Sequence, residues 1–487
     1  MTIVPTEYKL LINGKLVNGK NPCFAVINPA TGEPVTNETP HANEAQVNEA
    51  VDAASTALKK WSSLSLLERK NFMKQAQSAL EPQIDYIAEL LCIEQGKPLK
   101  RAQSEVRSGV DALIGLQKAV EIPAVKVVSE TNSHSFEIHR KPIGVVAAII
   151  PWNYPVYIAL TKIANALIFG NTLVLKPSPQ TPLSTLKIAE ILASVFPEGV
   201  LNVIAGPDTR DSNCVGDQLV RHARISFVSF TGSIPTGKKV YENCARKMSR
   251  VLLELGGNDP AVVLKDSNIG EAAKGVFECS LINNGQICCG IKRVYVHESQ
   301  HEEFATKISE LAKERVASIG NGLEPNVTLG PLNNEMQFNR VSSLVEDAIQ
   351  NGAKCLAGGK RPSHVNQKGY FYEPTVLVNV KEGMRIVDEE QFGPVIPIMA
   401  YKSEEEAVRR ANSTNYGLGA SVWGSRPEEV NRVAQQLEAG TVWTNEHAGD
   451  SHGLPFGGFK DSGIGREGGD YDLLTYTECQ SVKLLKV

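Results

Sequence analysis

Nowhere in this sequence do apolar residues run long enough to cross a membrane. The longest such run, Val145–Ile150, has the length of a strand, against the ~18–20 residues that a spanning helix needs. The opening stretch places Glu7 and Lys9 ahead of any apolar run, so no secretory signal is expected. Nor does either charge dominate. Lys and Arg number 50 against 54 Asp and Glu, a formal net charge of -4, which offers no electrostatic footing for nucleic acid. A cysteine framework is missing too. The 9 cysteines are scattered, and the close pair Cys288-Cys289 is adjacent rather than C-x-x-C. Disulfide scaffolds, zinc ribbons and thioredoxin chemistry are therefore not indicated, and no metal site is expected. What remains is a cytoplasmic globular protein with neither a nucleic-acid nor a membrane partner.

At 487 residues the chain is too long for one core, and at ~100–200 residues per domain two or three domains are expected. Residues 44–120 space their apolar positions at three and four, a helical pattern. From about residue 143 short apolar runs take over, at Val145–Ile150, Leu173–Leu175, Leu201–Ile204 and Ile225–Phe230. Runs without polar alternation, separated by helices, predict a parallel sheet covered on both faces. A second α/β region begins near 255, with strands at Ala261–Leu264, Arg293–His297 and Val395–Met399 and helices near 300–317 and 336–351. Val125–Arg140 and Tyr476–Val487 read as exposed strands seeking a partner, which suggests pairing across subunits.

The motifs are individually ambiguous. G-S-I-P-T-G-K-K at 232–239 nearly spells a P-loop, but Lys239 lacks the hydroxyl that would hold magnesium. A helix start there is either a pyrophosphate contact or a plain turn. Cys288, in N-G-Q-I-C-C-G, is either a small buried hydrophobe or a thiol nucleophile. Glu254 ends an apolar run before a glycine turn. A carboxylate there is either paired or kept for base work with a raised pKa. Asn153, in P-W-N-Y-P, either caps a turn or donates to an oxyanion.

Taken in order, these motifs carry a resemblance. P-W-N-Y-P at 151–155, K-P-S at 176–178, F-T-G-S at 230–233, E-L-G-G at 254–257, G-Q-I-C at 285–288, E-Q-F-G-P at 390–394 and P-F-G-G-F-K at 455–460 span most of the chain. The sequence resembles the aldehyde dehydrogenase superfamily. That resemblance implies two Rossmann-like parallel-sheet domains with a small protruding oligomerisation β-sheet. Residues 1–122 and 142–254 would bind the dinucleotide, 255–455 would carry catalysis, and 123–141 with 470–487 would build the protruding sheet of a homodimer or homotetramer.

The resemblance further implies that Cys288 attacks an aldehyde, Asn153 holds the oxyanion, and Glu254 activates the water that hydrolyses the thioester. Glu467 matches a proton-relay carboxylate. Lys176, Ser178, Gly232, Ser233, Trp152, Glu390 and Phe392 would hold the cofactor. Tyr154, Tyr157, Ile158, Thr161, Ile287 and Asp450 would face the substrate. Glu446, His447, Asp450 and His452 make either a polar mouth that selects a polar or cationic aldehyde or, by preference, a solvated loop. NAD-using members often carry a glutamate where Pro179 stands, so NAD⁺ is expected with some tolerance of NADP⁺. Two alternatives stay open: cofactor-free ester hydrolysis on the same residues, and a catalytically silent relative. Transfer to CoA is disfavoured by the presence of Glu254.

Overall fold

Local signals start the helices where the apolar periodicity places them. Asn43 and Gln46 form a reciprocal capping box ahead of Glu44–Ser62, and Ser65 and Glu68 do the same ahead of Leu66–Leu80. The helix Ile84–Gln95 stops at Gly96, whose φ of 97° suits a residue without a Cβ. The helical region continues through Leu99–Gly115. The structure is a computed structural model and describes residues 7–115, 125–208, 214–449 and 453–486. The last five positions of the expected helical stretch, 116–120, lie outside the described residues.

Two sheets carry the fold. The first runs, edge to edge, Gly463–Ile464, Arg250–Glu254, Ile225–Thr231, Val145–Ile149, Thr172–Lys176, Leu201–Val203, Leu10–Ile12 and Lys15–Val17. Its five central strands are parallel, as their unbroken apolar runs predict, while both edges are antiparallel. The second runs Lys354–Ala357, Thr375–Val378, Val395–Tyr401, Ile291–His297, Asp259–Val263, Gly419–Trp423 and Thr441–Thr444. It is parallel apart from its first strand. The chain passes from one sheet to the other between Glu254 and Asp259. The fold is α/β with two parallel-sheet units, as the resemblance implies.

The exposed strands find partners within the chain. Thr477–Leu485 pairs antiparallel with His134–Pro142, which pairs with Val125–Glu130. The expectation that they awaited another subunit is corrected to this extent: His134–Pro142 already has two neighbours and each outer strand one, and the outer edges of the three-stranded sheet stay open. Tyr476 is not part of the exposed strand. It is fully buried with Leu473 in the core of the first sheet, and the strand starts one residue later. Val487 lies outside the described residues. Among the described residues, no helix is long and apolar enough to cross a membrane.

Candidate active site

The parallel order of the first sheet gathers several motifs at one edge. Lys176 and Glu254 are the last residues of their strands, and the segments holding Trp152, Asn153, Gly232 and Ser233 follow two strands between them. Register puts Ile149 beside Lys176 and Thr231 beside Glu254. Carboxyl ends of parallel strands are where α/β sheets bind ligands.

Cys288 arrives from the second sheet. After the helix Ile269–Ser280 the chain takes three left-handed residues, Asn283, Asn284 and Gly285, with φ of 49°, 58° and 75°. Asparagine and glycine tolerate that region where bulkier residues would be strained. The turn delivers the Asn283 amide to the backbone oxygens of Asn153 (3.1 Å) and Gln286 (3.2 Å). The side chain of Asn153 donates to the Gln286 carbonyl at 3.1 Å. P-W-N-Y-P and G-Q-I-C are thus joined by hydrogen bonds.

The motif glycines mark other close approaches. A Cβ on Gly257 would lie 2.7 Å from the Cys288 carbonyl oxygen, and one on Gly285 would lie 2.2 Å from that of Gly393. On Gly256 it would meet a Glu390 carboxylate oxygen at 2.2 Å, and on Gly457 it would meet Oε1 of Glu254 at 2.8 Å. Four motifs, far apart in sequence, meet here.

Glu254 is buried, and neither carboxylate oxygen has a hydrogen-bond partner among the described residues. Burial, and secondarily the charges of Glu467 and Cys288, raise its pKa well above the usual range. The Cys288 thiol goes the other way. It is lowered first by a hydrogen bond from Cys289 and then by the nearby Lys292 ammonium, while Cys289 is pushed well up. A low thiol pKa is what a nucleophilic sulfur needs.

Glu467 heads a buried polar network. Lys162 Nζ donates to it at 2.7 Å, Tyr476 Oη at 2.9 Å and the Asn165 amide at 3.2 Å. The same Asn165 amide donates to Asp472 at 3.0 Å, and burial beside Glu467 pushes Asp472 up to about 7. A second buried pair braces the Asn153 segment. Lys97 and Glu105 are in direct contact, Lys97 donates to the Asn153 carbonyl at 2.8 Å, and Glu105 accepts from the N–H groups of Val156 and Tyr157.

The residues expected to hold a cofactor line the same edge. Lys176 is buried, with only long contacts to Pro177 O (3.3 Å) and Asp208 (3.4 Å), so its donors are not saturated. Ser178 accepts from Gln180 N–H. Ser233 caps the helix Ile234–Ala245 through Thr236, and Gly232 N–H donates to the Glu254 carbonyl. Trp152 and Phe392 pack edge to face, with centroids 5.3 Å apart. Glu390 accepts from Gly257 N–H at 3.2 Å, and burial raises it to about 7.

The expected substrate residues are placed less uniformly. Tyr154 lies under the Lys97 ammonium, 3.9 Å from its ring centroid. Tyr157 is exposed on the helix Pro155–Ile168, Thr161 bonds back to the carbonyls of Tyr157 and Ile158, and Ile158 packs on the first core. Ile287 is half-buried beside Cys288. Asp450 and His452 lie outside the described residues. His447 corrects the reading of a polar mouth: it is buried, 2.9 Å from the Cys289 carbonyl and 3.4 Å from Asp259, while Glu446 is exposed. Its reach to a backbone acceptor and a carboxylate explains why a residue in a polar string is drawn inward.

Sequence reasoning missed Lys97, Glu105, Lys162, Asp472, Tyr476 and Lys292. The available signal was a lysine inside an apolar helical run, as in A-L-T-K-I-A-N-A, since a buried charge needs a partner.

The chain belongs to the aldehyde dehydrogenase family, whose model matches residues 16–482. It is 36% identical over 479 residues to betaine aldehyde dehydrogenase of Bacillus subtilis, covering 97% of this chain and 96% of that protein. It is also 36% identical to a Sinorhizobium fredii protein named probable succinate-semialdehyde dehydrogenase [NADP(+)], covering 95% and 93%. Among solved structures, the NAD⁺ complex of an aldehyde dehydrogenase from Bacillus cereus matches with a TM-score of 0.93 and 35% identity, covering 98% of this chain and 96% of the other.

Proposed function

We propose that the protein oxidises a small-molecule aldehyde to its carboxylic acid with Cys288 as nucleophile, Glu254 as base for hydrolysis, and NAD(P)⁺ as hydride acceptor. The observation that carries this reading is the pairing of opposite perturbations: a thiol lowered by its neighbours, near an unpartnered buried carboxyl raised by its own. Divergent pKa values in one site are the mark of assigned acid–base roles.

The Cys288 sulfur adds to the aldehyde carbon, and the carbonyl oxygen takes up charge. The Asn153 amide has one hydrogen left after serving Gln286 O, and together with the Cys288 N–H it stabilises that oxyanion. A bound NAD(P)⁺ would supply the acceptor for the aldehyde hydrogen as hydride, and Cys288 would then carry the acyl group as a thioester. Glu254 removes a proton from water as it attacks the thioester carbon, the C–S bond breaks, and the acid leaves. The proton taken by Glu254 passes toward Glu467 and Lys162.

The residues present fit the cofactor: the unsaturated buried ammonium of Lys176, the capped helix start at Ser233, and the Glu390 carboxylate with the Trp152–Phe392 pair. Gly232 and Ser178 border this face. Pro179 brings no charge against a 2′-phosphate, so NADP⁺ is tolerated while NAD⁺ is favoured. The first sheet would be the dinucleotide-binding unit, the second would carry catalysis, and the three-stranded sheet would join two or four copies in a reducing, cytoplasmic setting. Tyr154, Tyr157, Ile158, Thr161, Ile287 and Asp450 remain the proposed substrate wall.

The test is formation of reduced nicotinamide with a panel of aldehydes, each tried with NAD⁺ and NADP⁺, beside Cys288→Ala. Cysteine-dependent reduction is expected. Its absence with every aldehyde, in protein whose Cys288 reacts with iodoacetamide, would remove the dehydrogenase reading.

A further inference from the structure

Lys292 is the second residue of the strand Ile291–His297, yet its ammonium turns back into the loop that carries the nucleophile. Its side chain is 3% exposed. Nζ lies 2.8 Å from the carbonyl oxygens of both Ile287 and Cys288, 3.2 Å from that of Gly290 and 3.6 Å from Glu390 Oε1. One cation therefore gathers three carbonyls of the loop and faces a carboxylate proposed to contact the cofactor.

Peptide planarity gives this arrangement a consequence. In a trans peptide the C=O and N–H point in opposite directions. The Ile287 carbonyl points at Lys292, so the N–H of Cys288, across the same peptide bond, points away from the ammonium. That N–H has no hydrogen-bond partner among the described residues. It is the backbone donor that an oxyanion on Cys288 would need. The desolvation of a buried ammonium is costly, and here it is offset by backbone oxygens of this loop and by Glu390.

We infer that Lys292 is a positioning residue of the reaction: by holding the Ile287 and Cys288 carbonyls it aims the Cys288 N–H at the substrate oxygen, and by facing Glu390 it links that aim to the cofactor side. This rests on the reading of Cys288 as nucleophile. The ammonium also favours the thiolate. The groups that face Cys288 alongside it are Cys289, Glu390, Asp259, Glu254 and Tyr154. With Cys289 donating and the carboxylates opposing, Lys292 is the cation among the described residues that favours the Cys288 thiolate.

The experiment compares Lys292→Met, which has similar length but no donors or charge, with Lys292→Gln, which keeps a donor and loses the charge. Three quantities are read: the melting temperature, kcat and KM for the aldehyde under saturating NAD⁺, and the pH profile of Cys288 alkylation by iodoacetamide in the free enzyme. For Lys292→Met we expect kcat to fall about 10²–10³-fold, the scale of one lost oxyanion donor, with KM little changed. The alkylation midpoint should move to higher pH. Lys292→Gln should show the same pH movement with a smaller loss of kcat. A folded Lys292→Met or Lys292→Gln enzyme with wild-type kcat and an unmoved profile overturns the inference. So does failure of both variants to fold, which would make Lys292 structural only. If the wild type itself shows no alkylatable Cys288 or no aldehyde oxidation, it is the proposed function that fails.

Discussion

Gly256 lies against Glu390 so closely that a Cβ on it would sit 2.2 Å from Oε2 and 3.0 Å from Cδ. The obstacle is the far end of a flexible side chain, so Gly256→Ala should fold and displace the carboxylate. Losing one hydrogen bond to a charged group costs about 1.5–3 kcal/mol, so KM for the dinucleotide should rise about 10-fold or more. The aldehyde KM should hold. Initial-rate kinetics varying each substrate decide it, and an unchanged dinucleotide KM would disconnect Glu390 from the cofactor.

Glu254→Gln should separate the two halves of the reaction. Acylation of Cys288 does not need the base, so a rapid burst of reduced nicotinamide, stoichiometric with subunits, should be followed by turnover slowed about 10²–10⁴-fold. Quenched-flow spectroscopy reads the burst, and mass spectrometry reads the acyl adduct on Cys288. A variant that loses the burst as well would place Glu254 in the first half.

Asp472 gives stability a pH dependence of known sign. Its carboxyl is raised from an ordinary 3.8 to about 7. Between those values the native state binds more protons than the unfolded chain, so this group's stabilising effect is complete below ~4 and is lost as pH rises through about 7. Asp472→Asn cannot ionise. Its melting temperature relative to the wild type should therefore climb from acid to neutral pH, and a difference independent of pH would contradict this.

The three-stranded sheet, proposed to join copies of the chain, leaves two edges open among the described residues, at Val125–Glu130 and Thr477–Leu485. Deleting residues 478–487 should reduce the assembly to smaller species by light scattering. A truncated chain of unchanged mass in solution would show that assembly lies elsewhere.

The legibility of this site in the sequence follows a physical rule. Cys288, Glu254, Asn153 and Lys176 stand where an apolar strand or helix meets a glycine or proline turn, and such junctions are local events that spacing and residue type reveal. Lys162 is different: its apolar neighbours mark it as buried, but its partner Glu467 lies 305 residues away, and nothing local names that partner. Lys97 and Glu105 are only eight residues apart, but the Asn153 carbonyl that Lys97 braces lies 56 residues on, so their task is not local either. His447 misled because its neighbours are polar, although its own acceptors, Cys289 O and Asp259, are buried on the second sheet. At the chain start, Leu10–Ile12 and Lys15–Val17 are too short for alternation to register, yet they complete the edge of the first sheet.

Tyr476 stands at the junction of two structures usually considered apart. Its backbone oxygen accepts from Asn171, its hydroxyl reaches Glu467 and Ser229, and the residue after it starts the last strand of the three-stranded sheet. In mechanical terms it is a rivet: a load applied to the C-terminal strand ends on Glu467, the carboxylate proposed to receive protons from the site. An enzyme immobilised through its C-terminus would carry that tension into its own proton path, whereas one held by a surface lysine far from the strand would not.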